Sequence, residues 1–229
     1  MLSPDEWQVV ALSLKVSGTA IACTIPIAFA LAYLLARASF PGKVVLDALI
    51  HLPLVLPPVV TGWMLLIAFA PDGPLGRVVM ALTGGTVLFR WSGAAIAAAV
   101  MALPLMVRAM RLSIEAVDRR LESAARTLGS SRWRVFRTIT LPLSLPGLVA
   151  GAVLGFARAL GEFGATITFV SNIPGETQTL PLAIYSQLQV PGSDAAVFRL
   201  ACVSVALSLA ALVASEILTR RAGRGQHVL

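Results

Sequence analysis

Residues 121–147, LESAARTLGSSRWRVFRTITLPLSLPG, set four arginines and a single glutamate in the middle of a strongly apolar chain. The sequence on either side decides what kind of fold holds them. Of 229 residues, 57% are hydrophobic and 13% charged, with a mean hydropathy of +0.85. Soluble domains run near half apolar and a quarter charged. These values predict an integral membrane protein of one domain, all-α and polytopic. About 20 apolar residues cross ~30 Å of hydrocarbon as a helix, and five runs meet that need: 13–36, 49–70, 92–110, 146–170 and 200–218. Within 74–90, GRVVMALTGGTVLF holds too few apolar residues before Thr83-Gly84-Gly85. It is expected to lie along the surface or re-enter, not to form a sixth span.

Lysine and arginine orient the predicted spans, because cytoplasmic loops hold the excess. Thirteen of the eighteen fall on one side: Arg37 and Lys43 after the first span, eight arginines from Arg108 to Arg137, and Arg220, Arg221 and Arg224 in the tail. The N-terminus is therefore expected outside and the C-terminus in the cytoplasm, which makes 111–145 the largest cytoplasmic feature. The net charge of +7 is then topological, and nucleic acid is not needed as a partner. Asp5 and Glu6 precede the first basic residue, Lys15, so the N-terminus lacks the basic region of a cleaved signal peptide and the first span is expected to stay. Cys23 and Cys202 lie far apart in apolar runs, and His51 and His227 are isolated, so no metal site is expected.

Inside the cytoplasmic segment, LSIEAVDRRLESAARTLG reads as a helix with i, i+4 pairs Glu115–Arg119 and Glu122–Arg126. Gly129 is placed to end it in a left-handed conformation, and Ser130 or Ser131 to cap the next. RWRVFRTI reads as a second short helix, ended by the prolines of LPLSLPG. An amphipathic loop on the inner leaflet would explain the arginines, but not the small pair Ala124 and Ala125 with Gly129 four residues on, which shapes a knob able to enter a partner's groove.

The series Glu122, Ala124, Ala125, Gly129, Ile139, Leu141 and Pro142, with Ser123 after the glutamate, resembles the coupling loop of permease subunits in bacterial binding-protein-dependent ABC importers. In that family the loop docks on a separate ATPase subunit and transmits its closure. The chain has no G-x-x-x-x-G-K-[ST] of its own, since Gly42-Lys43 is followed by Val44. With "FPGK", DALIHLPLVLPPVVTGW and GFARALGEFGATITFVSNIPGETQTLPLAIY, the likeness narrows to the molybdate permease subunit and spans nearly the whole chain. Sulfate permeases share the general plan, so FVSNIPGETQTLP carries most of the substrate signal, with tungstate hard to separate. The resemblance implies a homodimeric type I permease in the inner membrane, alternating access, cytoplasmic ATPase subunits that bind ATP and Mg, a periplasmic molybdate-binding protein, and no cofactor or catalysis on this chain.

Arg158 and Glu162 share a helix face inside the fourth span, where charge is costly and expected to be paired. One reading offers Arg158 to a passing oxyanion; the preferred one is a pair that positions the gate, because an unscreened arginine would hold a dianion too well. Pro57, Pro58 and Thr61 join them as pathway or gate candidates, since prolines break a membrane helix only against protein or water. Gly147, Gly151 and Gly155 form a smooth face, expected at the dimer interface or pathway wall. An ion-driven secondary transporter would show repeats or a chain of titratable groups, yet the spans add only Glu216. An intramembrane enzyme would need a nucleophile and base, or HExxH, and neither occurs.

Overall fold

Ser3 starts the first helix. Its hydroxyl accepts the Glu6 N–H at 3.2 Å, the Glu6 carboxylate accepts the Ser3 N–H at 2.7 Å, and Pro4 opens the helix. This capping box satisfies N–H groups that a helix start leaves open. The structure, a computed structural model, describes residues 2–224, and beyond Ala214 it describes only the side chain of Ile217. Glu216 and the tail arginines are thus described in backbone only, and His227 lies outside the described residues.

The elements are α1 (Pro4–Arg37), α2 (Lys43–Val55), α3 (Pro58–Phe69), α4 (Pro74–Thr83), α5 (Trp91–Ala116), α6 (Arg119–Thr127), α7 (Arg132–Val135), a π-helical turn (Phe136–Thr140), α8 (Leu141–Leu160), α9 (Gly164–Val170), α10 (Leu180–Gln187) and α11 (Asp194–Arg224). No strand occurs among the described residues. At the centre, α5 packs against both α1 and α8. Its buried Ala94, Ala97, Ala98 and Ala102 let the neighbouring backbones come close, and Met101, Met106 and Met110 fill what remains.

Segment 13–36 lies inside α1, which at 34 residues is ~51 Å long and overhangs the hydrocarbon. Segment 92–110 lies inside α5, and 200–218 inside α11. Segment 49–70 is no straight helix: α2 and α3 meet at a 114° bend. Leu56 turns extended there, and neither Pro57 nor Pro58 can donate to the preceding turn. The 74–90 stretch forms only the ten-residue α4, too short to span.

The fourth run departs most from expectation. LPLSLPG does not end a helix, because α7, the π turn and α8 make one apolar helix of 29 residues, Arg132–Leu160. In the π turn the Leu141 N–H reaches five residues back to the Phe136 carbonyl, which resets the ladder so that Pro142 sits in a first turn where no donor is required. Near Pro146, Ser113 Oγ donates to the Ser144 carbonyl at 3.3 Å, the kind of side-chain bond that lets membrane helices keep a proline. The helix then stops at Leu160, and α9 resumes after three residues.

The glycine face also differs. Gly147, Gly151 and Gly155 are buried within the chain against α5: a Cβ at Gly147 would overlap the Ser113 side chain, and one at Gly155 would stand 2.6 Å from Met106 Cγ. The seam serves intrachain helix packing, not a dimer interface or pathway wall.

Candidate functional site

α5 ends at Ala116 because Val117 turns extended, and the Asp118 carboxylate then caps α6 by accepting the Arg120 N–H at 2.8 Å. This break parts Glu115 from Arg119, so the expected pair does not form. Glu115 instead binds Arg111 at 2.8 Å, and Arg119 donates to the Ala36 carbonyl at 3.2 Å. Glu122 likewise turns from Arg126 toward the body of the protein. Its Oε1 accepts from Arg37 Nη2 at 2.9 Å and from the Thr140 hydroxyl at 2.7 Å. The Arg37 and Glu122 side chains are only 11% and 13% exposed, a setting where a charge-assisted bond is strong. Arg37 also donates to the Val117 carbonyl at 3.3 Å.

The rest of α6 stands off the body, with no buried residue. Ala124 is exposed, Ala125 half-buried and Leu128 87% exposed. Gly129 has φ +86° and donates to the Arg126 carbonyl at 2.9 Å, while Ser130 N–H reaches Ala125 at 3.0 Å, the left-handed helix ending its position predicts. Ser131 Oγ then accepts the Arg134 N–H at 3.3 Å and caps α7. Ile139 lies in the π turn, and Leu141 and Pro142 begin α8, so the coupling series runs from a projecting knob into the foot of the long helix.

The gate candidates meet where the two broken spans touch. α3 and α9 are packed backbone to backbone: a Cβ on Gly62 would lie 2.5 Å from the Ala165 carbonyl, and one on Gly164 would lie 2.8 Å from Pro58 Cβ. Glu162, 2% exposed, uses both oxygens. Oε2 pairs with Arg158 Nη1 at 2.6 Å, and Oε1 accepts the Ala165 N–H at 2.8 Å. The carboxylate therefore ties the end of α8 to the start of α9, and Arg158 stands in the last turn of its helix. Pro57 and Pro58 are exposed at the head of α3; Thr61, one turn on, is buried with no hydrogen-bond partner for its hydroxyl among the described residues.

Within FVSNIPGETQTLP, residues 171–179 fold as a tight loop between α9 and α10. The Ile173 carbonyl accepts the N–H groups of Glu176, Thr177 and Gln178 at 2.9–3.1 Å. The buried Thr177 hydroxyl accepts the Ile173 N–H at 2.8 Å and donates to Ser171 at 3.1 Å. Ser13 Oγ on α1 accepts the Leu180 N–H at 2.7 Å, anchoring the loop. Ser171 adopts φ 63°, ψ −165°, a region costly for any residue with a Cβ.

Sequence spacing missed Arg37 and Thr140 as partners of Glu122, because they lie 85 and 18 residues away. It also missed that Arg111 joins Asp47 at 3.0 Å and that His51 Nδ1 sits 2.8 Å from the Asp47 carbonyl oxygen. Among the described residues no group of His, Cys, Asp and Glu fits a metal, and Cys23 and Cys202 are exposed free thiols.

The chain matches the family described as binding-protein-dependent transport system inner membrane component over residues 25–224. It is 56% identical over 228 residues to the molybdenum transport system permease protein ModB of Escherichia coli (strain K12), covering 98% of this chain and 100% of the relative. The ModB protein of Haemophilus influenzae is 54% identical over 94% of each chain. The sulfate transport system permease protein CysT of Escherichia coli (strain K12) is 39% identical over 85% of this chain and 69% of its own. In fold, the chain is similar to a bacterial ABC transporter involved in alginate import, with TM-score 0.74 at 17% identity over 96% of this chain and 80% of that one. An inward-facing MetNI methionine ABC transporter gives TM-score 0.69 at 17% identity over 95% and 94%.

Proposed function

Because the chain belongs to the binding-protein-dependent transport system inner membrane component family, we propose that it is the permease subunit of an ATP-driven importer that carries molybdate across the inner membrane. One observation carries the substrate: 56% identity along essentially the full length of a molybdenum permease, against 39% over part of a sulfate permease. The chain performs no catalysis. ATP and Mg bind to partner ATPase subunits, a second copy completes the pathway, and a periplasmic molybdate-binding protein delivers the anion to the outer loops. The N-terminus then lies outside and the C-terminus in the cytoplasm.

In this proposal the ATPase grips the exposed face of α6 around Ala124, Leu128 and Gly129, while Glu122 works from the inner face. Its bonds to Arg37 and Thr140 carry a displacement of α6 to the ends of α1 and α8. At the other end, the contact of α3 with α9, whose start Glu162 ties to α8, forms the gate. Both of its oxygens are engaged and Arg158 is already neutralised, which favours a structural pair over an anion site. Exchange of Arg158 for Gln is expected to leave uptake affinity unchanged and to alter basal ATP hydrolysis; a loss of affinity makes Arg158 an anion site instead. The decisive experiment reconstitutes the complex in vesicles and compares ATP-driven uptake of molybdate, tungstate and sulfate. Uptake of molybdate that excess sulfate does not suppress supports the proposal, and preferred uptake of sulfate overturns it.

A further inference from the structure

A groove with two joined parts runs beside the coupling helix. One part, about 410 Å³, is lined by Phe29, Ala30, Tyr33, Arg132, Trp133 and Phe136. The other, about 590 Å³, shares Ala30, Tyr33, Arg132 and Phe136 and adds Arg37, Glu122 and Arg126 among its walls. Phe136 gathers the aromatic wall, with ring centroids 5.3 Å from Tyr33, 5.4 Å from Trp133 and 6.1 Å from Phe29. Trp133 remains 67% exposed, so the wall is built but not covered.

Charge and depth say what fits. Arg37 is neutralised by Glu122, whereas Arg126 and Arg132 have no ion-pair partner among the described residues. Arg37 is also the first charge after the uncharged run 16–36, about 30 Å of helix and so near a full hydrocarbon thickness. Phe29 stands eight residues before it, ~12 Å deeper. The Phe29 end of the groove therefore lies within hydrocarbon and the end at Arg37, Arg126 and Arg132 at its edge, the profile of an amphiphile with an anionic head. Basic pockets between helices at a membrane face bind such headgroups.

We propose that this groove holds an anionic phospholipid, its acyl chain against Phe29, Trp133 and Phe136 and its phosphate between Arg126 and Arg132. The lipid then sits directly beside the Arg37–Glu122 pair and stiffens the coupling helix where it faces α1. This requires that the chain span a membrane but not that it carry molybdate.

The test keeps Trp133 as the single tryptophan, with Trp7, Trp63 and Trp91 changed to Phe, in the full chain reconstituted in phosphatidylcholine vesicles. Small equal fractions of acyl-brominated phosphatidylglycerol or acyl-brominated phosphatidylcholine are then added as quenchers. Stronger quenching by the anionic lipid is expected, with selectivity falling roughly five-fold for each arginine removed in Arg126→Gln and Arg132→Gln. Both arginines are exposed, so folding is preserved, and Arg134→Gln outside the groove is expected to change nothing. Equal quenching by the two lipids overturns the proposal. So does quenching by neither, which marks a groove filled by protein, or relief of quenching by inorganic phosphate, which marks a free-anion site. ATP-driven uptake in parallel vesicles reports separately on the transport reading.

Discussion

One carboxylate oxygen, Oε1 of Glu122, joins three elements: its own α6, Arg37 at the end of α1, and Thr140 in the π turn. Replacing Glu122 with Gln keeps an acceptor but removes the charge, leaving Arg37 without its ion-pair partner. If Glu122 transmits motion, ATP hydrolysis continues while molybdate imported per ATP falls roughly ten-fold, the scale of an ordinary coupling free energy. Thr140→Val, which loses one hydrogen bond to a charged partner, is expected to fall in the same direction but less. Parallel loss of hydrolysis and uptake instead places Glu122 in contact with the ATPase. The glutamate itself was legible from its series with Ala124, Ala125 and Gly129; its inward direction was not, since no local spacing points 85 residues back to Arg37. Ser171 offers a different test. At φ 63°, ψ −165° it holds strain of ~1–3 kcal/mol, so Ser171→Gly should raise the melting temperature of the purified protein.

At the scale of elements, helices here approach as closely as their smallest residues allow. A Cβ at Gly62 meets the Ala165 backbone carbonyl, which cannot rotate away as a side chain can, so Gly62→Ala is expected to cost ~1–3 kcal/mol by overpacking. Gly18 in α1 has nothing among the described residues within 4 Å of its would-be Cβ, and Gly18→Ala should stabilise by about 0.5–1 kcal/mol through helix propensity. Thermal unfolding of the two variants side by side checks the contrast; like-signed shifts refute it. The prolines marked where α2 and α3 part, because a missing N–H acts locally. They misled at LPLSLPG, because a single π turn upstream supplies the ladder with a new start, and that remedy leaves no mark in composition or spacing.

Across the whole molecule, the apolar runs and the arginine distribution outlined a five-segment membrane protein before any helix was placed. What they did not define was helix ends, because a helix continues past hydrocarbon for as long as its own caps allow, as α1 does from Pro4. Nor did they show that the first and last helices are joined near their starts: Arg199 on α11 donates to Glu6 on α1 through Nη2 at 2.8 Å and Nε at 3.1 Å. Glu6→Arg and Arg199→Glu are each expected to lower the melting temperature, and the double exchange to recover most of the loss; failure to recover assigns the effect to packing. The π turn, finally, fixes an angle. Each residue of a helix advances the face by ~100°, so the one extra residue looped out between Phe136 and Thr140 sets the compass bearing of everything after it. A chain one residue shorter there would point the glycines of α8 away from α5 whenever α6 kept its seat, or keep the glycines in place and swing α6 off Arg37. The seat of α6 against Arg37 and the packing of α8 against α5 are thus indexed to each other by a single residue count.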